Sequence, residues 1–456
     1  MSTLSRREFL GAATLAVAGT SFAAEPKLTL STFTEEVNPP LGHPCMGGGI
    51  APVKEIIDPL FAHGFVLQGV GKPVVLVAID WCEIRNDAYD RWREALAEAV
   101  GTTRERVMVM ALHQHDTPIA DLTAQKFLDE AKAKGAICDL AFHEKTVLRV
   151  AKTVKASLKN ARPISHIGTG QAKVEKIASN RRYLDEGGVV RYNRMSATRD
   201  EKIRAADEGT IDPYLKTLSF WDGETPLVAL SNYATHPMSY YGRGGATADF
   251  VGLARKLRQA DEPKTLQIYV SGCSGNVTAG KYNDGAVENR PELGKRLYAA
   301  MKEAWKNTKK QAITQVTFKT VPMKLAARSE KSFSEEELKK KLTENAKPFG
   351  QCLAALGLSW RKRVAAGQPI DVCALDFGSA AFLLMPAESY VEFQLMAQDI
   401  RKNDFIVVAG YGESGPGYIP IERAWKEHDG NLSDWSWIDP GSEEIMRKAM
   451  EEVLKK

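Results

Sequence analysis

The stretch Arg106-Val107-Met108-Val109-Met110-Ala111-Leu112-His113-Gln114-His115-Asp116-Thr117-Pro118 decides how the rest of the chain is read. Its apolar run is too short for a typical helix and rich in valine, so it reads as a buried strand that runs out into two histidines and is stopped by Pro118. Side chains of a strand alternate between faces, so His113 and His115 share one face if the extended conformation continues past Leu112. Two imidazoles placed together can bind one divalent cation, or one can ligate while its neighbour moves protons. An isolated H-x-H is also an ordinary pair of surface histidines, so its meaning depends on what else the chain brings to the same place.

Outward from this stretch, the same arrangement recurs. Pro73-Val74-Val75-Leu76-Val77-Ala78-Ile79 ends on Asp80, and Leu227-Val228-Ala229-Leu230 leads through Ser231-Asn232-Tyr233-Ala234-Thr235 to His236-Pro237. Leu266 to Val270 runs into Ser271-Gly272-Cys273-Ser274-Gly275-Asn276. Ala380 to Met385 runs into Pro386-Ala387-Glu388, and Phe405 to Val408 into Ala409-Gly410-Tyr411-Gly412 and on to Gly417-Tyr418. Helical spacing is read from Asp87 to Val100, stopped by Gly101, twice between 123 and 160, and again over 331–345 and 442–456. Asp222-Gly223 predicts a hairpin. The turn-rich segments 25–50 and 165–194 read as loops. The expected fold is α/β: a mixed β-sheet core with flanking helices and an active site at the strand carboxyl ends, where open α/β sheets bind ligands. No internal repeat or low-complexity linker marks a boundary, so 24–456 is expected to form one domain.

Composition excludes several classes. With 44% hydrophobic residues, 26% charged and a net charge of +4, the chain is neither disordered nor a nucleic-acid binder. Its six cysteines are dispersed with no C-x-x-C, which leaves their oxidation state open. Ser5-Arg6-Arg7-Glu8-Phe9-Leu10, an Ala/Gly-rich apolar run and Ser21-Phe22-Ala23 have the form of a twin-arginine signal over 1–23. Export by the Tat machinery followed by cleavage by a signal peptidase is expected, which would take away two arginines and one glutamate and leave +3. A periplasmic or secreted protein without a transmembrane segment is expected. Gly275 to Lys281 completes G-x-x-x-x-G-K, but Tyr282 stands where a magnesium-holding hydroxyl belongs and no good helix follows, so this loop is expected to pack backbone near the site. An H-x-H strand also opens the barrel amidohydrolases, but the clean βα alternation of a (β/α)₈ barrel is missing.

Five segments in order, Ala111-Leu112-His113-Gln114-His115-Asp116-Thr117-Pro118, Ala234-Thr235-His236-Pro237-Met238-Ser239, Ser274-Gly275-Asn276-Val277-Thr278, Met385-Pro386-Ala387-Glu388-Ser389 and Gly417-Tyr418-Ile419-Pro420-Ile421-Glu422, resemble the neutral/alkaline (non-lysosomal) ceramidases. The resemblance covers their catalytic domain from about residue 28 to 430, and the C-terminal immunoglobulin-like domain of full-length members is not expected. It implies one zinc held by His113, His236, Glu388 and Tyr418. It further implies that His115 and an arginine, Arg181 or its neighbour Arg182, contact the reacting amide. The sequence departs from the family at Asp116-Thr117, where Ser-Gly is usual, and at Asn276, where the family has Asp.

Independently of any family, two imidazoles, a carboxylate and a phenol oxygen form a mixed N/O site suited to zinc. The expected activity is hydrolysis of an N-acyl amide, of ceramide to sphingoid base and fatty acid or of a related compound. The alternatives are a hydrolase of another ester or amide and a non-catalytic metal-containing binding protein.

Overall fold

The computed structural model describes residues 28–192 and 194–456; the twin-arginine segment lies outside them. Three sheets carry the architecture. The first contains β1 (Thr29–Glu36), β2 (Phe61–Gln68), β3 (Val74–Ile79), β4 (Val107–Ala111) and the short β5 (Arg162–Pro163), in the order β4-β3-β2-β1-β5. The second contains β6 (His166–Lys173), β7 (Tyr214–Asp222), β8 (Thr225–Tyr233), β9 (Leu266–Ser271) and β10 (Lys309–Ala312), ordered β9-β8-β7-β6-β10. The third runs β11 (Thr317–Met323), β12 (Ile370–Asp376), β13 (Ala380–Leu384) and β14 (Phe405–Ala409).

Each sheet is antiparallel apart from one parallel pair: β3 with β4, β8 with β9, and β13 with β14. A parallel pair needs a crossover, and each is made through a helix: α1 (Asn86–Val100), α4 (Asp249–Asp261) and α8 (Val391–Ile400). The intervening α2 (Leu122–Glu130) and α3 (Leu140–Ser157) precede the second sheet, α5 (Asn289–Lys306) covers it, and α6 (Glu335–Glu344), α7 (Pro348–Ala365) and α9 (Ser442–Leu454) belong to the third layer. The fold thus repeats a hairpin-helix-strand unit three times although the sequence carries no repeat.

Both faces of the inner strands are covered, which is why they read as unbroken apolar runs. Val74, Leu76 and Ala78 join a central core shared by all three sheets, while Val75, Val77 and Ile79 pack with Trp92 and Leu96 of α1 and Val147 and Val150 of α3. Ala380, Phe382 and Leu384 face the same central core, and Ala381 and Leu383 face the α7 and α9 side. No helix among the described residues is long and apolar enough to cross a membrane, and no immunoglobulin-like sandwich is present among them. All six cysteines are free and buried.

Two segments read as loops contain strands. In 25–50, the hydroxyl-rich Thr29–Glu36 pairs antiparallel with β2 and buries Leu30 and Phe33; its threonines and serine had disguised the pattern. In 165–194, Gly168 and Gly170 resemble turn punctuation but lie within β6. A Cβ on Gly170 would stand 2.1 Å from the carbonyl oxygen of Ala304, so the glycine admits α5 against the sheet. The histidine strand is also shorter than the alternation argument needs. It ends at Ala111, and His113 has φ +72°.

Candidate metal centre

The carboxyl ends of the three parallel pairs meet and are tied to one another by two backbone hydrogen bonds and one from a serine hydroxyl. Ala111 N donates to Tyr411 O at 3.0 Å, Gly410 N to Ser271 O at 2.9 Å, and Ser271 Oγ to Leu112 O at 2.7 Å. Each unit delivers a different candidate ligand to this junction: His113 follows β4, His236 follows β8, and Glu388 and Tyr418 follow β13 and β14. The last two are direct partners in a short parallel pairing, Glu388 with Tyr418 and Ser389 with Ile419.

His113 and His236 are oriented alike. The Nδ1 of His113 donates to Cys82 O at 3.1 Å, and that of His236 to Ser274 O at 2.6 Å, with Val277 O at 3.1 Å. These carbonyls fix the tautomer that leaves Nε2 as the free lone pair. Both Nε2 atoms converge on one carboxylate oxygen: Glu388 Oε2 lies 3.1 Å from His113 and 3.0 Å from His236. The His113 contact lacks hydrogen-bond geometry, and its Nε2 is a buried atom without a partner. A tetrahedral ion with bonds near 2.0–2.1 Å separates its donor atoms by about 3.3 Å, so the spacing of each imidazole nitrogen from the carboxylate oxygen fits such an ion.

Two overlapping groups have ligand atoms within 4.8 Å of one another: His113, His115 and His236, and Glu83, His113 and Glu388. His115 makes no contact with Glu388 among the ion pairs that join His113 and His236 to it; its ring lies edge-on, 5.3 Å from that of His113 and 4.9 Å from that of Tyr241. The pair therefore does meet, by a left-handed turn at His113 rather than by the pleat of a strand. Arg181 is buried. One terminal nitrogen donates to Tyr418 Oη at 2.6 Å and to Asn431 Oδ1 at 3.0 Å, while its Nε has no partner. Arg182 turns away to Glu427 at 3.2 Å. Of the two arginines, Arg181 lines the cavity.

Burial pushes the His115 imidazole well below its ordinary value, and His113 and His236 add to that, so it is neutral at pH 7. His236 is driven down to about 4 by burial and by Arg181. Burial opposes the charge of Glu388, but the two histidines outweigh it and hold the carboxyl well below the carboxylate range. Burial pushes the Tyr418 phenol up while Arg181 pulls it back.

The site opens into a cavity of about 340 Å³ whose walls include Met46, Met195, Met238, Phe349 and Trp435. Sequence reasoning missed Glu83, a fully buried carboxylate on the same cavity, paired with Arg85 at 2.6 Å and lying 3.8 Å from His113 Nδ1. The available signal was the polar exit of the β3 strand, whose first polar residue is Asp80; that carboxylate is consumed by two contacts of 2.7 and 2.5 Å to Arg255. Tyr411 was legible only as part of a Gly-rich tip. Its ring stacks on His113 at 4.3 Å and its hydroxyl meets Ser274 Oγ at 2.7 Å. The G-x-x-x-x-G-K segment packs backbone against the site: a Cβ on Gly275 would lie 2.1 Å from Glu388 O.

Two solved structures share this fold. The neutral ceramidase from Pseudomonas aeruginosa superposes with a TM-score of 0.68 at 15% identity, over 94% of this chain and 74% of its own. A ceramidase complexed with C2 gives the same TM-score and coverage at 16% identity. No protein-family model matches the chain, and no curated protein matches it in sequence.

Proposed function

We propose that the chain is an exported, zinc-dependent amidohydrolase that cleaves an N-acyl amide bond in the manner of a ceramidase. His113, His236, Glu388 and Tyr418 hold the ion. The observation that carries this reading is the convergence of two imidazole Nε2 atoms on one carboxylate oxygen at 3.0–3.1 Å, beside a neutral imidazole with an unpartnered Nδ1 and a buried arginine with an unpartnered Nε. The shared fold with the ceramidases supports it. Bound there, zinc supplies a water pKa lowered to about 7 and polarisation of the amide carbonyl.

His115 is neutral and its Nδ1 is unpartnered. It takes a proton from the attacking water and passes it to the leaving nitrogen as the C–N bond breaks. Arg181, charged at any working pH and anchored by Tyr418 and Asn431, holds the oxygen on which negative charge develops. The products are a carboxylic acid and an amine.

The cavity is at the small end of ligand sites and its apolar walls suit an acyl chain. With a charge of only +3 after export and no concentrated basic patch read from the sequence, we infer better turnover of dispersed or short-chain N-acyl amides than of long-chain ceramide in vesicles. The test is metal analysis of the purified mature protein together with a panel of fluorogenic amides and ceramide vesicles. About one zinc per chain is expected, lost in His113→Ala and in His236→Ala, with short dispersed amides cleaved best. Full zinc in both variants would refute the site, and tight vesicle binding with preferred cleavage of long-chain ceramide would refute the substrate class.

A further inference from the structure

Asn431 was not singled out by any motif, yet it lines the cavity with its side chain buried. It sits on a single 3₁₀ turn, Gly430–Leu432, capped by Asp429, whose Oδ1 accepts from Asn431 N at 2.9 Å. The other oxygen of Asp429 accepts from the Tyr390 hydroxyl. Asn431 Oδ1 accepts from Arg181 at 3.0 Å. A guanidinium has only donors, so this contact determines which end of the amide is oxygen and directs Nδ2 elsewhere. Nδ2 lies near the Tyr390 hydroxyl, which already donates to Asp429, but neither that oxygen nor any other acceptor meets it with both the distance and the angle of a hydrogen bond. An amide nitrogen carries two hydrogens, and a buried donor left without an acceptor is costly unless a water or a ligand meets it. The same is true of Arg181 Nε on the same cavity.

We infer that Asn431 contacts the substrate: its Nδ2 donates to the acyl oxygen that Arg181 also faces, giving that oxygen two protein donors of different kinds. This rests on the amidohydrolase reading, and it assigns to the loop after Tyr418 a part in binding the acyl group. A substrate or product with an acceptor oxygen beside an acyl chain satisfies both donors, whereas a hydrocarbon of equal size leaves both unpaired.

Two variants separate contact from support. Asn431→Ala removes both ends of the amide. Asn431→Asp keeps an oxygen for Arg181 and removes the donor. The probe is N,N-dimethyloctanamide, a neutral ligand that accepts hydrogen bonds and donates none, so the added charge of Asp acts on it weakly. Its binding to the zinc-loaded protein is measured by calorimetry, alongside zinc content and kcat on a fluorogenic amide. Expected are about five- to tenfold weaker binding in both variants, a lower kcat in both, and unchanged zinc. Wild-type binding by Asn431→Asp with a loss only in Asn431→Ala would make Asn431 a support for Arg181 and overturn the inference, as would wild-type binding by both. Failure of the amidohydrolase reading looks different: the wild-type protein binds the probe but cleaves no amide.

Discussion

Replacing Gly275 with alanine tests whether the site is built as described, because the change adds one methyl group and touches no candidate ligand side chain. The new Cβ would lie 2.1 Å from the carbonyl oxygen of Glu388 and 2.9 Å from Tyr390 Cδ1. An ordinary carbon-oxygen contact is about 3.3 Å, so one side must retreat by about 1 Å. Neither can retreat without consequence. The Glu388 segment is bonded through Glu388 N to Gly417 O and paired with Tyr418, so its movement displaces both candidate oxygen ligands. The Gly275 loop carries Ser274 O and Val277 O, which orient His236, so its movement frees that imidazole. Overpacking costs about 1–3 kcal/mol, and a misplacement of about 1 Å in a catalytic constellation costs about 10²-fold in rate. Gly275→Ala should therefore lower the zinc content, the melting temperature and kcat together. Gly223→Ala is the control. That glycine has φ +56° at a hairpin tip with no atom near its Cβ, so it should lose about 1 kcal/mol and keep its zinc. Wild-type metal content and melting temperature in Gly275→Ala would refute the packing argument.

His115→Ala should retain zinc and lower kcat by about 10²- to 10⁴-fold, the range for general acid-base help; metal analysis decides, since loss of zinc would make His115 a ligand, as its place in the three-histidine group allows. His143, on α3 between Trp81 and Trp92, has both ring nitrogens buried and unpartnered, and burial brings it down to about 4. Its folded value lies below the unfolded 6.5, so its contribution is complete above about pH 6.5 and is lost as the pH falls through about 4, by about 3 kcal/mol. His143→Phe should flatten the fall in stability between these limits, measured by urea unfolding at several pH values; an unchanged fall would place the titration elsewhere.

Much of the fold was legible because the inner strands are covered on both faces and therefore appear as short apolar runs with polar exits. The β3, β4, β9, β13 and β14 runs all meet that description, and α1 with its Gly101 stop falls within a residue of its expected start. The outer strands were hidden for two different reasons. β1 buries few large side chains among hydroxyl residues, and β6 uses glycine for helix contact where glycine in a sequence signals a turn. The candidate ligands were legible as strand exits, but Glu83 and Asn431 were not. Each owes its position to partners remote in the chain: Trp435 donates to Glu83 at 3.3 Å, and Asn431 is oriented by Arg181. Such placements exist only after the three sheets have closed.

That closure also explains how His113 and His115 come together without the pleat of a strand. A strand continued through His115 would place both imidazoles on one face by its pleat alone. The chain instead turns at His113, φ +72°, and comparable left-handed turns occur at Ala387, φ +49°, and Tyr411, φ +59°, one beside Glu388 and one under the His113 ring. Each costs of order 1 kcal/mol or more for a residue with a Cβ. Ala111 N to Tyr411 O, Tyr411 N to Ala387 O and His113 N to Trp81 O hold the three in place, so the core that stabilises the sheets also sustains the strain at their exits. Three separate units can then aim their groups at a single point, His113 from the first, His236 from the second and Glu388 with Tyr418 from the third, which no local stretch of sequence could do alone.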